Sequence, residues 1–417
     1  MFNKIKNFIY KLLKKSEKFF QTDMIYLAKG GFWLNLGQII SSLSGLLLSI
    51  VFANYVTKET FGIYKYTISI AGLLSLSTLS GLNTVIIQSV AQNKEGILKK
   101  SLKTKISWGF IGFALGVCFS LYYFYFKHDT YLSLSVLIAA IFIPFMDSFA
   151  IYDSFLVAKE NFKKSSIYGI IIKTTSTIIL ISTIFISKNL FLLIFMYFTS
   201  YTIMRFFFLL VVIKKHKPNN DFDNSSITYG KHLSLINLIT SIAQYLDSVL
   251  IFQFLGPAKL AIYSIAIAFP ENIRNLMKFI QPLALVKFSS QNKETVYRDI
   301  TRQMKKIGLI IFVIIILYII FAKLIFILLM PLYKEAIFYS QLFSLSLFYF
   351  VIAIPISALQ SQSEQKKLYK FYTVTSIFQI IVLLPGAIFF GITGVIIARI
   401  IARFFQIAFM LHILKSK

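Results

Sequence analysis

In the stretch Pro270-Glu271-Asn272-Ile273-Arg274-Asn275-Leu276-Met277-Lys278-Phe279-Ile280-Gln281-Pro282, charged and amide side chains recur inside an otherwise apolar segment. Glu271, Arg274, Asn275, Lys278 and Gln281 follow i, i+3, i+4 and i+7 spacing, which places them on one face of a helix. Hydrocarbon cannot solvate such a stripe, and the two flanking prolines allow a bend whose freed carbonyls face a cavity. The plainer account has Glu271 and Arg274 neutralise one another while Lys278 snorkels to the interface. Five polar groups on one face exceed what a structural pair requires, so the stripe points to a water-lined cavity.

Arg399 and Arg403 sit in the last apolar run with i, i+4 spacing, and Gln406 lies one turn further on the same side. Arg403 is about eleven residues, roughly 16 Å of helical rise, from either end of its run, too far for easy snorkelling. The two readings open to this pair are a cavity role and ion pairing with Asp147 or Asp153. Arg205 and Lys173 lie nearer the ends of their runs, where snorkelling and a cavity role weigh about equally. Asp147, Asp153, Asp247 and Glu271 are the carboxylates within apolar runs. Asp247 belongs to a broad polar face with Asn237, Thr240, Ser241, Gln244 and Ser248. Because it must be protonated, paired or ion-bound, it is the first candidate for coupling to protons or sodium, with Asp147 and Glu271 as alternatives.

The elements that must position these residues follow from composition. Of 417 residues 57% are hydrophobic, 17% aromatic and only 14% charged, against roughly 25% charged in soluble domains. Runs of about 20 apolar residues, each able to cross the bilayer core as a helix, fall near 31–54, 61–90, 106–126, 131–157, 166–187, 190–213, 233–255, 260–286, 307–329, 336–360, 371–390 and 392–414. The expected fold is therefore all-α, a polytopic membrane protein of about twelve transmembrane helices. The 43 basic against 16 acidic residues would favour nucleic acid in a soluble chain. Here they fill alternate loops, which assigns those loops and both termini to the cytoplasm, with no nucleic-acid partner expected.

Residues 2–20 place Phe2, Ile5, Phe8, Ile9, Leu12 and Leu13 opposite several lysines, the pattern of a basic amphipathic helix on an anionic leaflet. Phe61-Gly62-Ile63-Tyr64 and Leu260-Ala261-Ile262-Tyr263 each follow a short outside loop six spans apart, a weak parallel repeat with a substrate path expected between the halves. The organisation read from this is a basic segment 1–28, a six-helix lobe 29–213, a linker 214–232 and a second lobe 233–417. The single cysteine, Cys118, rules out an internal disulfide. The histidines have no metal-ligand spacing and no phosphate-binding glycine loop occurs, so no metal and no ATP chemistry are expected.

Gly30-Gly31-Phe32-Trp33, Thr57-Lys58-Glu59-Thr60-Phe61-Gly62-Ile63-Tyr64 and Gly81-Leu82-Asn83 resemble the first half of polysaccharide-biosynthesis membrane proteins, the Wzx-type lipid-linked oligosaccharide flippases of the MOP/MATE-like superfamily. Tyr245-Leu246-Asp247-Ser248-Val249-Leu250, Phe254-Leu255-Gly256 and Ala261-Ile262-Tyr263 resemble the opening of that family's second half, with Ala261 where glycine is usual. The resemblance implies two six-helix lobes around a central cavity that opens alternately to each side. It also implies an undecaprenyl-diphosphate-linked oligosaccharide as substrate, the bilayer and other polysaccharide-assembly proteins as partners, and a monomer in the bacterial inner membrane. No cofactor is expected beyond a coupling Na+ or H+. On this reading Arg274, Lys278, Arg399, Arg403, Arg205, Asn275 and Gln281 bind substrate, since guanidinium groups suit diphosphate geometry. The alternatives are a multidrug or cation antiporter, disfavoured by a basic cavity, and a glycan polymerase or ligase, for which the short outside loops offer no catalytic constellation.

Overall fold

A computed structural model describes residues 24–278, 281, 284, 288, 293–362 and 364–415, and every described element is helical. The amphipathic helix expected over 2–20 lies outside these residues. The chain runs through α1 (Met24–Tyr55), α2 (Lys58–Leu74), α3 (Gly81–Ala91), α4 (Ile97–Tyr125), α5 (Thr130–Met146), α6 (Ile151–Ala158) and α7 (Phe162–Ile186). It continues through α8 (Leu190–His216), α9 (Asn224–Leu255), α10 (Pro257–Met277), α11 (Lys293–Leu329), α12 (Ala336–Ser344), α13 (Ala353–Ser361) and α14 (Gln365–Lys415). Among the described residues nine helices are long and apolar enough to cross a membrane, or ten if the bent pair Lys58–Thr78 and Gly81–Ala91 counts as one span. Two more crossings follow from local structure. Helix α14 turns at Gly391, whose φ of 59° and ψ of −141° only glycine adopts freely, so it traverses twice. Helix α10 carries the polar stripe that lowers its hydropathy, and it occupies the place of the eighth predicted span.

Three predicted spans are broken rather than continuous. The second bends by 47° where a short 3-10 turn, Ser75–Thr78, ends at Leu79 in a left-handed conformation (φ 60°). The fourth stops at Met146, two residues after Pro144, and resumes at Ile151. The tenth passes through a 3-10 stretch, Leu345–Ile352, between α12 and α13. A broken membrane helix leaves carbonyls without partners, and other groups must bond to them. The predicted linker also shortens. Asp223 accepts from the Ser225 N–H at 2.9 Å and caps α9, so helix begins at Asn224 and only residues 217–223 remain outside helix. The hydrogen bonds from Ser225 hold the Asp223 carboxyl below the usual carboxylate range.

Side-chain distribution is that of a membrane protein. On α11, Leu309, Ile320, Leu324 and Leu328 are exposed, whereas Ile311, Ile315, Ala322 and Phe326 are buried at helical spacing. The exposed face meets lipid and the buried face meets protein.

The two sequence halves meet where α1 and α2 pack on α10, and where α2 and α3 pack on α9. Near the α1–α2 turn the contact is a polar clamp. Asn54 Nδ2 donates to the Leu329 carbonyl at 2.7 Å, Lys58 pairs with Glu335, and Gln253 Nε2 donates to the hydroxyls of Tyr66 and Tyr123 at 2.7 Å each. Tyr66 stacks on Phe252 with ring centroids 3.9 Å apart. Gly62 makes this approach possible, because a Cβ there would stand 1.9 Å from the Pro257 carbonyl oxygen, a backbone atom that cannot swing aside. Gly62→Ala should therefore hold this end apart. In a Cys118→Ser background, a cysteine placed at Ser248 should react several-fold faster with a membrane-impermeant maleimide added from the outside. An unchanged rate would show that the clamp does not seal the molecule.

Candidate functional site

Below the clamp, α9, α10, the Leu345–Ile352 stretch and both arms of α14 enclose a polar cavity of about 460 Å³. Its wall includes Gln244, Asp247, Glu271, Arg274, Lys278, Arg399, Arg403 and Gln406, four cations against two carboxylates. The i, i+3 spacing on α10 brings Arg274 Nη2 to 2.6 Å from Glu271 Oε2. The i, i+4 spacing on α14 sends two guanidinium groups to the same place. Arg403 Nη2 lies 2.5 Å from Glu271 Oε1, and Arg399 Nη2 lies 3.3 Å from Asp247 Oδ2 and 3.9 Å from Glu271 Oε1. Asp247, only 2% exposed, also accepts from the Tyr263 hydroxyl at 2.5 Å and from the Ser248 N–H at 2.7 Å. The result is a chain of three guanidinium groups and two carboxylates with one positive charge left over, and Lys278 adds a second at the wall. The Nε groups of Arg274 and Arg399 are buried and have no hydrogen-bond partner among the described residues.

Several sequence expectations need correction. Arg399 and Arg403 are paired, but with Asp247 and Glu271 rather than with Asp147 or Asp153. Asp147 pairs instead with Arg205, at 2.7 Å from Nη1, and Asp153 accepts from Ser165 Oγ at 2.5 Å. The stripe on α10 is not one continuous helical face, because the helix ends at Met277 and Lys278 is its cap. Asn275 is half-buried and does not line the cavity. Gln281 lines a smaller adjoining cavity of about 220 Å³ together with Arg274 and Lys278. Arg205 and Asp147 stand in the other half of the chain, so they do not join the arginines of α14.

The sequence reading missed Tyr263 and Ser346. Tyr263 was visible as the second tyrosine of the repeat, and its hydroxyl holds Asp247. Ser346 belongs to the broken tenth span, where Arg403 Nη1 donates to its Oγ at 2.5 Å and to its carbonyl at 3.3 Å. The first half contains the same device. Arg205 Nη1 donates to the Met146 carbonyl at 2.9 Å and to Asp147, at the break in the fourth span. In each half an arginine of the sixth span bonds the loosened backbone of the fourth. This repeats in space what Ile63-Tyr64 and Ile262-Tyr263 repeat in sequence.

The profile of a family described as polysaccharide biosynthesis protein matches residues 27–280, which is more than half of the chain. The chain belongs to the polysaccharide biosynthesis protein family. Among solved structures, the lipid II flippase MurJ in an inward closed conformation is similar at 16% identity and TM-score 0.71, with 92% of this chain and 87% of that one covered. The MATE multidrug transporter DinF-BH is similar at 14% identity and TM-score 0.65, covering 93% and 94%. An outward-facing multidrug resistance MATE transporter is similar at 13% identity and TM-score 0.61, covering 94% and 97%. No curated protein matches the chain. This member of the polysaccharide biosynthesis family thus has the all-helical fold of MOP-superfamily flippases and transporters.

Proposed function

We propose that this protein is a flippase that carries an undecaprenyl-diphosphate-linked oligosaccharide from the cytoplasmic to the outer leaflet by alternating access. The observation that carries the reading is the cavity with four cations against two carboxylates. A diphosphate bears the complementary charge, and the planar forks of Arg274, Arg399 and Arg403 suit its oxygens better than lysine would. A groove of about 510 Å³ between α2, α4 and α9, lined by Trp108, Ile111, Leu115 and Leu238 among others, offers an apolar wall for the prenyl chain. A cationic drug would meet a surplus of positive charge, which argues against the multidrug reading. No step of flipping makes or breaks a covalent bond, so the protein acts as a transporter rather than an enzyme.

The clamp closes the end that the loop lysines assign to the outside, and the cavity lies on its cytoplasmic side. This supports a cytoplasm-facing loading state, in the inner membrane of a bacterium and with both termini inside. The two halves then act as six-helix lobes joined by the linker, in a monomer that works beside other polysaccharide-assembly proteins. Coupling takes a specific form here. Asp247 already holds Arg399, so a proton or a sodium ion must displace that guanidinium to act on the cycle. Proteoliposomes given an undecaprenyl-diphosphate glycan on one face should expose it on the other, and a gradient of a cationic rhodamine dye should be left unmoved. Dye transport without glycan-lipid transport would reverse the assignment.

A further inference from the structure

We propose that the first half of the chain contains a separate saccharide site, one that selects a sugar bearing a carboxylate. It is a cavity of about 450 Å³ enclosed by α1, α3, α6, α7 and α8, within the size range of small-molecule sites. It shares no lining residue with the arginine-rich cavity of the second half. Its wall is rich in groups that bond hydroxyls, among them Gln38, Asn83 and Ser166, and it includes Tyr201, whose ring meets the Lys173 ammonium at 5.8 Å and the Arg205 guanidinium at 5.6 Å. Ser166 is 7% exposed, and its hydroxyl has no hydrogen-bond partner among the described residues. A buried hydroxyl without a partner is costly unless something else bonds to it.

The charges decide the ligand class. Arg205 is neutralised by Asp147 and also bonds the Met146 carbonyl, whereas Asp153 accepts from the neutral Ser165 hydroxyl and forms no ion pair among the described residues. Lys173 remains. It lies over the Tyr201 ring at 5.8 Å and forms no ion pair among the described residues. Lys105, 1% exposed, donates to the Asn83 side-chain oxygen at 3.3 Å, which leaves the amide N–H groups of Asn83 to a ligand. A surplus of one ammonium beside convergent hydroxyl-bonding groups suits a pyranose ring that carries a carboxylate. This deepens the flippase reading and rests on it, because it places the glycan in one half and the diphosphate in the other.

The test is thermal stabilisation of detergent-purified full-length protein by three probes, D-glucuronate, D-glucose and farnesyl diphosphate, at matched ionic strength. Glucuronate should raise the melting temperature of wild type at concentrations at least tenfold lower than glucose. Lys173→Gln should abolish that preference and Lys173→Arg should keep most of it, while the response to farnesyl diphosphate stays unchanged in both. If Lys173→Gln does not fold, Ser166→Ala should weaken the response to both sugars and leave the diphosphate response intact. Equal effects of glucuronate and glucose would overturn the acidic specificity. Stabilisation by farnesyl diphosphate alone would overturn this site and leave the flippase reading standing. Stabilisation by glucuronate alone would keep the site and remove the diphosphate assignment.

Discussion

Arg403→Ala should cost the protein both stability and transport. Arg403 is 6% exposed and bridges Glu271 on α10 to Ser346 in the broken tenth span. Removing one member of a buried pair typically destabilises by about 3–5 kcal/mol, because the other charge is left buried. Glu271 keeps Arg274 at 2.6 Å, so the lower end of that range, about 3 kcal/mol, is expected. The melting temperature should fall, and translocation of glycan-lipid should drop by at least a hundredfold. Arg403→Lys should recover much of the stability and little of the transport, since an ammonium cannot reach Glu271 and Ser346 together. A double-mutant cycle with Glu271→Gln should give an interaction energy above about 1 kcal/mol. A stable Arg403→Ala protein with normal transport would show that neither contact matters.

Asp247→Asn is the second substitution with a large expected effect. It removes the counter-charge of Arg399 at 3.3 Å, leaving that guanidinium only Glu271 at 3.9 Å. Tyr263 keeps an acceptor, so the damage falls on the ion pair. At an effective dielectric near 20, charges about 4 Å apart attract by roughly 4 kcal/mol, which sets the scale of the loss. The single variant should melt well below wild type, and Asp247→Asn with Arg399→Gln should regain most of the difference. The double variant should nevertheless transport at a rate indifferent to an imposed proton or sodium gradient. Restored stability together with restored gradient dependence would move coupling away from Asp247.

Much of this site was legible in the sequence because charge is rare in an apolar run and helical spacing is local. Glu271 and Arg274 could be paired from their i, i+3 spacing, and Arg399 with Arg403 could be placed on one face. Their long-range partners could not be read, since nothing local on α14 distinguishes Asp247 or Glu271 from Asp147 or Asp153. Hydropathy showed where the chain crosses the membrane but not where it breaks. Leu79, Met146 and Leu345–Ile352 lie within runs as apolar as their neighbours, and the breaks depend on Pro144, on a left-handed Leu79 and on guanidinium groups from other helices. The start of α9 was misplaced for the opposite reason. Residues 224–231 are polar, yet an Asp223 cap and packing of Gly230 and Ser234 against α3 keep them helical.

The most direct measurement is the affinity of the purified protein for farnesyl diphosphate, compared between wild type, Lys278→Gln and Arg274→Gln at fixed ionic strength. Lys278 is exposed at the cavity mouth and forms no ion pair among the described residues, so its loss should leave the fold intact. A charge-assisted contact to an anion contributes about 1.5–3 kcal/mol, so each variant should bind at least tenfold more weakly than wild type. Farnesol, which lacks the diphosphate, should bind all three proteins alike. Equal affinity of wild type and both variants for farnesyl diphosphate would contradict the assignment of this cavity to the diphosphate of a lipid-linked glycan.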